Sequence, residues 1–298
     1  MTVTDTGGLR LTGLRRYPVK SCRGEDLDVA TVEPWGLTGD RRWMVVDPSG
    51  EAVTAREANR LVLITPSITD SGLLLSAPDI EDLDVDRPAS GPLVEVKIWD
   101  DRLLARAADP VAGDWFSGVI GRSLRLVYLD DPRRRPVNPA YGAADDTVSL
   151  ADAYPLLLAT EESLTQLNTW IAEGPRSADG PLPMTRFRPN LIVRGEDAFA
   201  EDTWRRVRVG EVVFRVVKLC DRCVLTTIDP VTATRTKEPL VSLARHRRWD
   251  GKTWFAVNLV PEAPYGSGVP EAPYGAGVPE ALYGSVRVGD QVEVLETR

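Results

Sequence analysis

The chain is poor in the residues that build many common sites. Its 298 residues include three cysteines, one histidine and three methionines. A tetrahedral zinc site would therefore have to gather Cys22, Cys220, Cys223 and His246 together, and a Cys-His nucleophile would need His246 beside a cysteine. No apolar run approaches the ~20 residues of a membrane span. The first eight residues, Met1 to Gly8, are polar and lack an apolar signal core, so export is not expected. Few cysteines and no signal segment point to a reducing, cytoplasmic setting with thiols free or metal-bound. A positive surplus is also missing: the formal net charge is −8, which argues against a general nucleic-acid binder. Lysine is scarce, five against thirty-one arginines, a skew that reflects genome composition as readily as function.

What remains is an ordinary globular composition, 43% hydrophobic and 27% charged, in a chain long enough for two domains with real cores. Short β-patterned runs dominate the first part: Leu9 to Leu14, Leu27 to Val32, Trp43 to Val46, Leu61-Val62-Leu63-Ile64, Leu73 to Leu75, Val94 to Trp99 and Leu103 to Ala105. Turn signals separate them, a spacing that suggests a barrel or sandwich. Asp109-Pro110 opens a helix with aspartate as N-cap and proline at the first position; Trp115, Phe116, Val119 and Ile120 give its apolar face, and Gly121 closes it. The Pro-, Gly- and Arg-rich loop from Asp131 to Asp146 is the natural boundary by composition, dividing 9–130 from 131–298. Its arginines read as solvated surface or as guards of an anionic pocket. Beyond it, Thr160 caps a helix carrying Leu164, Leu167 and Ile171, and Glu238-Pro239 begins another that contains His246. Three nine-residue Pro/Gly copies beginning at Val260, Val269 and Val278 cannot bury a core and read as a mobile insertion near 260–285. Val286 to Val294 is expected to close the fold as a β-hairpin.

The organising stretch is Val217 to Pro230. A β-branched run enters Cys220-Asp221-Arg222-Cys223, and Val224 to Ile228, strand-like, leaves it for the Asp229-Pro230 turn. A thiolate in that loop serves as a metal ligand, a nucleophile, half of a disulfide or an inert small hydrophobe. A thioredoxin-type pair wants a helix after it, which this pattern does not predict. A single thiolate on a soft metal whose other ligands come from an organic cofactor gives work to the scattered cations, because a phosphorylated cofactor needs Lys and Arg around it.

Seven motifs in order carry a resemblance: Tyr17-Pro18-Val19-Lys20-Ser21-Cys22, Asp40-Arg41-Arg42-Trp43, Val53-Thr54-Ala55-Arg56, Phe187-Arg188-Pro189-Asn190, Cys220 through Pro230, Lys237-Glu238-Pro239-Leu240 and Val288-Gly289-Asp290. From about Leu9 to Glu296 the chain resembles the MOSC proteins with an N-terminal β-barrel domain, in particular the amidoxime-reducing molybdenum enzymes of mARC and YcbX type. The resemblance implies a predominantly β, mixed fold: a MOSC β-barrel, a smaller N-terminal β-rich domain whose first strands contribute to the site, and a few peripheral helices. It implies a molybdenum cofactor (Mo-molybdopterin), with the metal-ligating cysteine falling on Cys223. Cofactor contacts fall on Lys20, Ser21, Arg41, Arg188 and Asn190, on backbone around Asp221 and Arg222, and on the pair Ala153 and Tyr154. The small hydroxylated residues of relatives are replaced at that pair, so main-chain contact alone is expected there. Asp152 is the candidate carboxylate for proton delivery. The wider family is also associated with pyridoxal phosphate.

The implied reaction is two-electron removal of oxygen from a small N-hydroxylated substrate (amidoxime, hydroxylamine or N-hydroxylated base), releasing water. A cofactor carrier without turnover would need the same anchors. Some relatives carry a four-cysteine ferredoxin domain, yet no cysteine follows Cys223 here. A targeting and anchor segment like that of the mitochondrial members is not expected either. Electrons are thus expected from a separate ferredoxin or flavoprotein reductase, with no membrane and no nucleic acid involved.

Overall fold

The computed structural model describes residues 8–195, 197–264 and 282–298; most of the Pro/Gly repeat insertion lies outside the described residues. The principal sheet runs Val292–Thr297, Trp204–Val209, Val212–Asp221, Lys252–Pro261, Leu156–Thr160, Leu191–Arg194, Arg10–Arg16 and Glu25–Asp26. An Arg10–Gln291 bridge, with Leu11 N donating to Asp290 O and Val292 N to Leu9 O, brings the first strand back to the last, closing a barrel. Closure removes the free edges an open sheet would present. Every strand pairing within this sheet is antiparallel except Leu156–Thr160 with Leu191–Arg194, and a parallel pair needs a crossover. Helix α2, Glu161–Ala172, supplies it; Thr160 caps it by accepting from Ser163 N, as its hydroxyl and the following apolar spacing predict.

Alternation along the strands sorts the core. Leu11, Leu14, Val32, Leu37, Leu158, Val207, Phe214 and Leu259 fill the barrel. Leu157 and Ala159 of the wholly buried Leu156–Thr160 strand point outward instead, under α2 and the helix Leu240–His246 (α3). The N-terminal lobe adds a four-stranded sheet (Trp43–Val46, Arg125–Tyr128, Asp101–Ala107, Leu93–Ile98) and a three-stranded meander (Thr65–Ile68, Gly72–Ala77, Ile80–Asp86). Helix α1, Pro110–Ile120, packs on them with Asp109 accepting from Val111 N and Gly121 in the left-handed conformation, as its terminal residues predict. The composition-based boundary at 130 does not divide the pairings, since Arg10–Arg16 and Val29–Glu33 pair with Leu191–Arg194 and Gly284–Arg287.

Three local expectations are corrected. Leu61 to Ile64, read as strand, lies largely in a 3-10 turn, Asn59–Leu63; a four-residue apolar run carries no period to separate the two. Val224–Thr227 is likewise a 3-10 turn, in which Thr226 and Thr227 hydroxyls donate back to the carbonyls of Cys223 and Val224. The Val286 to Val294 segment turns as expected, but its arms do not pair with each other. Gly284–Arg287 joins Val29–Glu33, and Val292–Thr297 joins Trp204–Val209. Among the described residues no helix is long and apolar enough to cross a membrane.

Candidate functional site

Cys223 stands where the Val212–Asp221 strand gives way to the Val224–Thr227 turn, and its side chain is partly exposed. Arg56 Nε lies 3.2 Å from its sulfur, while the same guanidinium donates through Nη2 to Asp152 Oδ2. Lys20 Nζ reaches the other oxygen, Asp152 Oδ1, at 2.6 Å, and Leu150 O at 2.9 Å. Thiol, guanidinium, carboxylate and ammonium therefore form one chain drawn from four distant segments. Burial pulls the Lys20 ammonium down to about 8 against the opposing pull of Asp152. Asp152 is held far below the usual carboxylate range: desolvation by the surrounding protein works against its charge, although half its side-chain surface is exposed, and Lys20 and Arg56 outweigh it. Trp99 lies under the Arg56 guanidinium, 4.7 Å from the ring centroid, and is 57% exposed at the rim.

The loop carrying Asp152 is held from below by Arg135, which is 2% exposed. Its guanidinium donates to Ser149 O at 2.8 Å, Ala151 O, Asp152 O at 2.8 Å and Asp101 Oδ2 at 2.9 Å. The arginine run reads in sequence as solvated surface or pocket guard; Arg135 is neither, since three converging carbonyls take it inward. Of the neighbouring pair, Ala153 is exposed, and Tyr154 is buried with its ring edge-on to Tyr141.

A second group surrounds Tyr17. Arg41 and Arg188 each place the guanidinium carbon 4.3 Å from its ring centroid. Arg41 also donates to Asp40 Oδ2 at 2.6 Å, Asn190 Oδ1 at 3.0 Å and Arg188 O at 3.3 Å. Asn190 is fully buried and engaged on both ends: its amide donates to Arg15 O and Asp40 Oδ1, and its oxygen accepts from Leu157 N and Arg41. It positions Arg41 rather than facing open space. Ser21, Arg41 and Arg188 all adopt positive φ (69°, 47° and 58°), a costly backbone state for such residues that clusters at working sites. Arg188 donates to Cys22 O at 2.7 Å, and burial lowers its guanidinium to about 10. Its Nη2 is buried with no acceptor.

The rest of the cysteine loop faces elsewhere. Arg222 turns inward to Cys220 Sγ at 2.9 Å and Phe187 O at 2.8 Å, and its backbone is taken up by Thr253. Asp221 is exposed between Lys218 and Lys252. Burial raises the Cys220 thiol above its ordinary range. Cys22 is wholly buried in the N-terminal core, where burial pushes its thiol up to about 12. His246 stacks on Trp170 with ring centroids 4.4 Å apart. All three cysteines are free, and no group of three or more His, Cys, Asp or Glu among the described residues is arranged to hold a metal. The four-ligand zinc arrangement is therefore not formed. Arg56 and Arg135 were missed as site residues from sequence. Arg56 carried a signal, its place in Val53-Thr54-Ala55-Arg56; Arg135 carried none beyond its arginine run.

Residues 8–123 match the model of the MOSC N-terminal beta barrel domain, and residues 145–293 match that of the MOSC domain. The mouse mitochondrial amidoxime-reducing component 1 is 35% identical over 246 residues, covering 78% of this chain and 70% of that protein. Human mitochondrial amidoxime reducing component 2 is 35% identical over 245 residues, with 78% and 71% covered. A zebrafish component 1 is 31% identical over 81% of this chain and 76% of its own length.

Proposed function

We propose, on the premise that this chain belongs to the MOSC family with an N-terminal MOSC beta barrel domain, that it is a molybdenum-cofactor-dependent reductase of N-hydroxylated compounds. The observation that carries the reading is the linked chain Cys223–Arg56–Asp152–Lys20, set at the junction of the two matched regions. The amidoxime-reducing names of relatives at 31–35% identity supply the substrate class.

The residues present fit a phosphorylated, metal-bearing cofactor. Cys223 offers the one partly exposed thiol whose partner is a cation from the opposite lobe, while Arg188 has a buried donor still lacking an acceptor. Cys223 would ligate the metal, and Lys20, Arg41 and Arg188 would hold the anionic cofactor, with main chain near Ser21 and Ala153. The chemistry the cofactor supplies when bound is two-electron redox coupled to acceptance of oxygen.

The net reaction takes R–NH–OH with two electrons and two protons to R–NH2 and water. The protein's share is charge and protons. Lys20 Nζ, with its affinity lowered to about 8, holds a proton next to a carboxylate that stays ionised, a pairing suited to proton delivery near neutrality. Arg56 orients Asp152 and offsets charge at the sulfur without touching substrate. Electrons arrive from a separate ferredoxin or flavoprotein reductase.

The test is turnover of benzamidoxime by cofactor-loaded protein with a reduced dye. Cys223→Ser should abolish turnover. Cys220→Ser should retain it, because a serine oxygen still accepts from Arg222. Equal behaviour of the two variants overturns the ligand assignment. A full complement of molybdenum and pterin without turnover leaves a cofactor carrier instead.

A further inference from the structure

The hairpin of Leu93–Ile98 and Asp101–Ala107 turns in two residues, Trp99 and Asp100, since Ile98 pairs with Asp101. Trp99 takes the first of them with φ 56°, a left-handed state that such turns give to glycine, asparagine or aspartate. A bulky side chain there carries a steric cost. Core packing does not explain the choice: among the described residues Trp99 joins none of the hydrophobic clusters, and it is 57% exposed. One face of its ring meets Arg56, whose guanidinium carbon stands 4.7 Å from the centroid. Arg56 in turn donates to Cys223 Sγ and Asp152, so the indole is one guanidinium removed from the thiol. The hairpin tip is fixed there from two sides. Lys97 bonds the segment leading to Arg56, donating to Gly50 O and accepting from Ala52 N, both at 2.9 Å. Arg135 donates to Asp101 Oδ2 and, with the same guanidinium, to the carbonyls of the Asp152 loop.

We propose that Trp99 is the aromatic platform of the substrate site: the part of its ring left uncovered by Arg56 stacks on the planar group of an N-hydroxylated substrate. The site then favours aryl amidoximes and N-hydroxylated bases over small aliphatic compounds. The substrate class rests on the proposed function; the platform itself rests on an exposed, rigidly held indole in a backbone state that strain disfavours and function retains. A flat ring needs only another flat ring to stack on, and a preorganised one loses little freedom when it does.

The experiment compares benzamidoxime with acetamidoxime, which has the same reacting group and no ring, on cofactor-loaded wild type, Trp99→Asn and Trp99→Phe. Wild type should favour benzamidoxime in kcat/KM. Trp99→Asn should shrink that preference by about fivefold or more, chiefly through KM, and Trp99→Phe should restore most of it. Asparagine suits the turn, so Trp99→Asn should not lower the urea midpoint; a clear fall makes Trp99 a structural turn residue and overturns the platform. Equilibrium dialysis of benzamidoxime against unreduced, loaded protein repeats the comparison without turnover, and binding should again weaken by about fivefold or more in Trp99→Asn. If neither compound is turned over while this difference persists, the reductase reading fails and the platform stands. A wild type that binds no benzamidoxime, or that binds it no better than Trp99→Asn does, overturns the platform whatever the turnover.

Discussion

Lys20 should give the protein an unusual gain of stability with rising pH. The folded state releases its ammonium proton near pH 8, because burial outweighs the pull of Asp152, whereas the unfolded chain holds it to about 10.5. Between these values the unfolded chain binds more protons, so unfolding becomes harder as pH rises. Below about pH 8 both states are protonated and the gain is absent. Integrating for one group from pH 7 to pH 9 gives a rise of about 1.4 kcal/mol. The window should stop there: the Cys22 thiol titrates near 9.0 when unfolded and near 12 when folded, which lowers stability as pH climbs further. The assay is urea unfolding of cofactor-free wild type and Lys20→Met at pH 7, 8 and 9. Wild type should gain the full increment relative to the variant, whatever their difference at pH 7. Two curves parallel to within a few tenths of a kcal/mol would refute the burial argument and, with it, Lys20 as a proton source near neutrality.

Arg135→Ala strips donors from three carbonyls of the loop that presents Asp152, and a broken buried network of this kind costs about 3–5 kcal/mol. Its urea midpoint should fall accordingly, and a loss under 1 kcal/mol contradicts the clamp. Glu201 is fully buried, accepts from Ser163 and Thr160, and is raised by burial to about 7 from 4.5. Its folded state holds the proton longer, so this contribution declines as pH rises from about 4.5 to 7. Glu201→Gln should remove that decline, and unfolding measured at pH 5 and 8 reads it directly.

Helix ends were legible because their chemistry is local. Asp109, Pro110 and Gly121 bound α1, and Thr160 caps α2, each within a few residues of the element it defines. The cysteine loop and its cationic companions were legible as motifs, but their mutual geometry was not. Arg56 and Cys223 stand 167 positions apart, and no periodicity encodes such a contact. Arg135 was misread because an arginine shows nothing in sequence of whether carbonyls will converge on it. Asn190 was picked out by its motif, yet its role emerged only from the partners occupying its amide. The short apolar runs at 61–64 and 224–228 misled for a simpler reason: burial alone explains them, and a 3-10 turn buries as well as a strand.

The barrel and the site are both properties of the whole chain. A fragment spanning 131–298 would lack the Arg10–Arg16 strand that closes the barrel between Leu191–Arg194 and Val292–Thr297. It would also remove Leu11, Leu14, Val32 and Leu37 from the barrel interior. At about 1.5–3 kcal/mol for each buried aliphatic side chain, the loss is roughly 6–12 kcal/mol, comparable to the ~5–15 kcal/mol that holds a typical domain together. Two unpaired strand edges would remain to template aggregation. The fragment should therefore show no cooperative urea transition, and co-expression with 1–130 should restore one. A sharp transition from the fragment alone would mean that the C-terminal strands close without their N-terminal partner. The same division separates Cys223 from Arg56 and Lys20, so a folded fragment would still hold only half of the linked chain of side chains.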